Sequence, residues 1–206
     1  SVPSVSGKII GNIGYFLEPI ILTNLLYLNG YSHEYIISSY GAYNAYSISI
    51  LTIPAFLIMA LSNTIVPEVS KYTEERNNIM VKKRVKQSLM FTFFLGILFS
   101  ILIIIFRNQL LMILYNTNLG SDFIKVLAPF FCLFYLESIF YSILQGAGYA
   151  KIAMKITTIG VFIKIISLIL LCFCHFGMYA LVYSEIINIL YITYKNIIVL
   201  RKNNLI

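Results

Sequence analysis

Four ionisable side chains sit where this chain is otherwise oily: Glu18, Glu137, Lys164 and Glu185. Carboxylates and an ammonium in apolar surroundings can hold one another as ion pairs. They can also bind a proton or small cation, or offer charge to an ionic substrate in transit. Asn188 follows Glu185 at a spacing of three, which puts both on one helical face. Glu137 lies twelve residues before Tyr149 and Lys164 fifteen after it, on the two sides of the short turn Gln145–Lys151. At about 1.5 Å per residue their depths differ by only about 5 Å, so adjacent antiparallel helices are expected to pair them. A structural ion pair and a role in transit both remain open for that pair.

The elements that position these groups must be membrane helices. Hydrophobic residues make up 59% of the 206 and charged ones 11%, with a mean hydropathy of +0.85. A soluble domain of this size has too little interior for so much apolar surface. The fold expected is all-α and polytopic, a single bundle over residues 1–206. Six spans of about twenty residues are expected near 9–28, 40–66, 88–106, 126–147, 156–174 and 178–198.

The pI near 9.3 does not signal nucleic acid. Twelve cations (Lys8, Lys71, Arg76, Lys82, Lys83, Arg84, Lys86, Lys151, Lys155, Lys195, Arg201 and Lys202) fall on one side of the spans, and only Arg107 and Lys125 on the other. That asymmetry predicts cytoplasmic termini and a cytoplasmic loop over Val69–Gln87, with membrane lipids as the neighbours of the basic run. Residues Asn108–Tyr115 are expected as an amphipathic extension at the outer surface. Without tryptophan, the outer aromatic belt falls to Tyr27, Tyr31, Tyr35, Tyr115 and Tyr179.

Small residues and prolines mark packing and bending. Gly7, Gly11 and Gly14 share a face with Glu18, and Pro19 follows that carboxylate. This reads either as a packing groove with a bonded carboxyl or as a proton or cation site on a flexible helix. Pro54 predicts a kink in the second span. Gly146 and Gly148 form the fourth-to-fifth turn, and Ser88, Thr92, Gly96 and Ser100 form a packing stripe on the third span.

No catalytic arrangement is visible: there is no nucleophile with a base, no nucleotide loop and no metal cluster, so no enzyme activity and no cofactor are expected. Cys172, Cys174 and His175 lack a second group of ligands, and with Cys132 the cysteines lie in apolar spans rather than in a disulfide framework. Because Gly7-Lys8 leads directly into an apolar span and Ser1 is not methionine, the chain is expected to be a segment of a larger polypeptide.

Phe16-Leu-Glu-Pro19, the run Ala60–Ser70, Leu144-Gln-Gly-Ala-Gly148 and Lys164 with Phe176-Gly177 together resemble one family. It is the polysaccharide-exporter branch of the multidrug/oligosaccharidyl-lipid/polysaccharide (MOP) flippase superfamily, in particular its stage V sporulation protein B-like and lipid II flippase-like members. The resemblance implies two six-helix bundles facing across a cavity and alternating access, as in the MATE-like fold. This chain would be the second bundle, needing an N-terminal six-helix half as partner. It further implies passage of an undecaprenyl-pyrophosphate-linked saccharide from the inner to the outer leaflet of the bacterial cytoplasmic membrane. A cation-coupled multidrug exporter and a non-transporting scaffold for envelope or spore cortex synthesis are the alternatives.

Overall fold

The computed structural model describes residues 16–206, all of them helix or short connection. Helix α1 runs over Phe16–Leu28. Helix α2, His33–Gly41, continues through a π-helical turn, Ala42–Ile48, into the short α3, Ser49–Thr52. Then come α4 (Ala55–Glu74), α5 (Asn78–Tyr115), α6 (Ser121–Gly146), α7 (Ala150–Phe173) and α8 (Tyr179–Lys202). Gly7, Gly11 and Gly14 lie outside the described residues.

Helix α6 is the hub: it touches α4, α5, α7 and α8. Its apolar residues point several ways because each neighbour needs a packing face, so Leu127, Phe131, Tyr135, Ile139 and Ile143 are all buried. Three helices, α5, α6 and α7, are long and apolar enough to cross a membrane, and a fourth span results if α2–α4 is counted as one bent element. Its two arms meet at 51° around Ile53–Pro54. Proline lacks the N–H that would continue the ladder, and the nearby Leu51 carbonyl instead accepts a bond from the Tyr135 hydroxyl of α6 at 2.6 Å.

The expected cytoplasmic loop is mostly helix. Helix α4 extends to Glu74, α5 begins at Asn78, and only Glu75–Asn77 turn. Asn77 caps α5 by accepting the Met80 N–H at 3.1 Å. Lysine and arginine are good helix formers, so the basic run that ends the apolar signal does not end the helix. At the far end Asn108–Tyr115 extends the same helix. Its 38 residues span about 57 Å at 1.5 Å per residue, well beyond an apolar core of about 30 Å. The stripe Ser88, Thr92, Gly96 and Ser100 is buried, and it lets α5 approach α6 at Cys132 and Tyr135.

One end of the bundle is tied by tyrosines and by a polar clasp. Tyr31 stacks on Tyr35 with centroids 5.3 Å apart, and Tyr46 meets Tyr115 at 4.8 Å. Arg107 on α5 donates from Nε to Ser121 Oγ on α6 at 3.0 Å, and Ser121 in turn bonds Asn108 Oδ1 at 2.6 Å. Ser47 Oγ lies 2.8 Å from the Ala42 carbonyl and 2.9 Å from that of Gly120, joining the π-helical turn to the start of α6.

At the opposite end α6 closes on α4. A Cβ built on Gly146 would sit 2.7 Å from the Val66 carbonyl oxygen and 2.9 Å from Val69 Cβ. Neither atom can swing away, because one is backbone and the other belongs to a β-branched residue. Gly148, two residues on, takes φ +85° in the turn to α7, a conformation that side chains resist. Gly146→Ala is therefore expected to cost about 1–3 kcal/mol by overpacking. A melting measurement on the intact, detergent-solubilised protein checks this; an unchanged melting point would mean that α4 and α6 do not approach so closely.

Candidate functional site

The charged residues converge on one lysine. Lys164 Nζ lies 2.5 Å from Glu18 Oε2 and 2.5 Å from Glu185 Oε2. Three helices supply the three groups: α1 gives Glu18, α7 gives Lys164 and α8 gives Glu185. All are buried, at 7%, 8% and 9% exposure respectively. Charges so removed from water survive only when paired and well bonded. The trio therefore ties α1, α7 and α8 together.

The expected partner of Lys164 was Glu137, and the structure does not form that pair. Glu137 is half-buried on α6 and makes no ion pair among the described residues. The α6 stripe of Tyr141, Gln145 and Gly148 runs from half-buried to exposed. The α7 stripe instead turns its Gly160 and Lys164 inward, and both are buried. Equal depth is necessary for pairing, but rotation about the helix axis decides it, and Lys164 faces α8 and α1. The neighbouring Ser138 does bridge helices, bonding Ser62 of α4 at 2.9 Å.

Glu185 is level with Lys164. Counted from His175 in the outer turn, Lys164 lies eleven residues back and Glu185 ten residues on. That difference of one residue is about 1.5 Å of depth. The same count made from the α7–α8 turn, rather than from the α6–α7 turn, adds Glu185 as a second carboxylate at the depth of Lys164.

Asn188, one turn further along α8, packs on Gly160 of α7. A Cβ at Gly160 would lie 2.7 Å from Asn188 Oδ1, an oxygen that is buried and accepts no hydrogen bond among the described residues. Pro19 follows Glu18 within α1 and is half-buried. Sequence reasoning missed Tyr43, which is 2% exposed on the π-helical turn and lies within the electrostatic reach of Glu185, Lys164 and Glu18. The signal for it was the polar run Tyr43–Ser49 in an otherwise apolar span.

Chemically, the trio is a charge lock with a surplus. Two carboxylates face one ammonium, so among the described residues the ionised cluster carries one net negative charge. One proton or one small cation completes its neutrality. Among the described residues the trio places no nucleophile beside a base.

Known proteins share this architecture. The MatE family model matches residues 19–170. Stage V sporulation protein B of Bacillus subtilis (strain 168) is 29% identical over 164 residues, covering 80% of this chain and 32% of that protein. Sporulation protein YkvU of the same organism is 24% identical over 151 residues, covering 73% of this chain and 34% of that one. The chain thus spans about a third of the length of the curated relatives it matches. In fold it is similar to a MOP superfamily transporter from Pyrococcus furiosus, with a TM-score of 0.72 at 18% identity, over 97% of this chain and 42% of that structure. With a family match across most of its length, and with the fold of a MOP superfamily transporter, this chain belongs to the MatE family.

Proposed function

We propose that this chain forms one six-helix half of a flippase. In this reading it works with a second, N-terminal half to carry an undecaprenyl-pyrophosphate-linked saccharide from the inner to the outer leaflet of the bacterial cytoplasmic membrane. Both termini of the segment lie in the cytoplasm, as the asymmetry of the basic residues favours. The similarity to stage V sporulation protein B supports this reading. The observation that carries the mechanism is the buried Glu18–Lys164–Glu185 trio.

The trio alters the part Lys164 plays. A lysine held by two carboxylates is not a ready cation for a passing pyrophosphate. Its role is to hold α1 against α7 and α8 in one conformation of the bundle. A proton or small cation arriving at the acidic surplus weakens that hold by competing with Lys164 for a carboxylate. Release of α1, with Pro19 beside the lock, then lets the cavity open to the other side. Glu137 on α6 and Asn188 on α8 would line the rest of the polar route.

A second reading is favoured by the same acidic surplus. An excess of carboxylate suits a cation-coupled exporter of cationic drugs as well as a flippase. Reconstituting the intact protein in vesicles separates the two. The flippase reading predicts protein-dependent movement of the lipid-linked saccharide between leaflets. Failure to bind or move it, with export of a lipophilic cation instead, would select the exporter; failure of both would leave the scaffold.

A further inference from the structure

A groove of about 540 Å³ lies between α4 and α5, at the end of the bundle that carries the basic run. Two kinds of residue line it. Leu61, Ile65, Met90 and Phe91 are apolar, and Arg84 and Gln87 are hydrogen-bond donors. Arg84 lies four residues before Ser88, where the apolar stretch of α5 begins. That is about 6 Å beyond the oily layer, the level of lipid headgroups.

Among the described residues Arg84 makes an ion pair but no hydrogen bond. Its Nε is buried without a hydrogen-bond partner among the described residues. The nearest carboxylate oxygen, Glu68 Oε2, is 3.7 Å away, too far for a hydrogen bond. Glu68 therefore balances the charge of the guanidinium without using its donors. Around the groove the charge is positive, with six basic residues against three acidic ones from Glu68 to Lys86. Below Arg84 the wall turns apolar, and Met90 and Phe91 are 62% and 52% exposed. A planar cation above an oily slot matches a ligand with a phosphate at one end and a hydrocarbon tail at the other.

We propose that this groove binds one anionic phospholipid from the leaflet at this face. Arg84 and Gln87 would hold its phosphate, and an acyl chain would lie along Leu61, Ile65 and Phe91. The site is separate from the Glu18–Lys164–Glu185 trio and does not depend on the transport reading. A bound lipid there would brace α4 against α5 just beyond the Glu75–Asn77 turn.

Native mass spectrometry of the intact protein, released from vesicles of equal phosphatidylglycerol and phosphatidylcholine, tests the site. The wild type is expected to retain one phosphatidylglycerol in preference to phosphatidylcholine. Arg84→Gln is expected to lose about fivefold of that retention, and Lys82→Gln, which removes an exposed charge outside the groove, to keep it. Thr64→Trp, which fills the groove from an exposed position and leaves every charge in place, is expected to release the lipid too, without a fall in melting point. Equal retention of both lipids would overturn the proposal. So would an equal loss in Lys82→Gln and Arg84→Gln, which would mean diffuse attraction only. Displacement of phosphatidylglycerol by an equal mole fraction of undecaprenyl phosphate would assign the groove to a polyprenyl lipid instead.

Discussion

Lys164→Met is expected to be among the most damaging single substitutions in this chain. It removes the one ammonium between two carboxylates whose Oε2 atoms, each 2.5 Å from Nζ, are at most 5 Å apart. Breaking a buried ion pair by deleting one member costs about 3–5 kcal/mol, because the remaining charge is left uncompensated in a poor solvent. Here two charges are left, and they repel. The variant should melt well below the wild type in detergent or lipid, and it should fail to replace the wild-type protein in a cell that depends on it. Methionine nearly matches the length of the lysine stem, so lost packing accounts for little of the effect. A normal melting point in Lys164→Met would mean that the two carboxylates find other partners.

The second large effect is a departure from additivity. Glu18→Gln alone leaves Lys164 paired with Glu185, and Glu185→Gln alone leaves it paired with Glu18. Each single variant removes the surplus negative charge and should change stability by no more than about 1 kcal/mol. The double variant Glu18→Gln/Glu185→Gln takes both of these carboxylates from Lys164 at once, and its cost should be about 3–5 kcal/mol. The coupling between the sites would then be at least about 1 kcal/mol, as for residues sharing a partner. A melting series on four proteins checks this. If the double variant loses only the sum of the singles, the two glutamates do not share Lys164.

Composition and periodicity made the class of this molecule plain, because an oily chain with a few buried charges has few ways to fold. They also singled out Lys164 and Glu18, which the fold brings together, since a charge in the middle of an apolar run stands out. The pairing was harder to read. Glu137 and Glu185 both match Lys164 in depth, and nothing in a linear spacing says which way a helix is rotated. That follows from how α6, α7 and α8 pack, which depends on many apolar contacts spread along their length. Helix ends were misread for a related reason: hydropathy reports where the membrane stops, whereas α5 continues as helix through Lys82–Lys86 and Arg107. The hydrogen bond from Tyr135 to the Leu51 carbonyl joins residues 84 apart and had no local signature.

The account's central claim is that the buried trio serves movement as well as architecture. Neutralising all three groups at once, in Glu18→Gln/Lys164→Met/Glu185→Gln, separates those roles. Replacing a buried ionic cluster with neutral groups is often harmless to stability, so this variant should recover much of the melting point lost by Lys164→Met. It should nevertheless fail to move lipid-linked saccharide between leaflets in vesicles of the intact protein. A triple variant that is stable and transports at the wild-type rate would contradict the account, and the trio would then be a fastener between helices and nothing more.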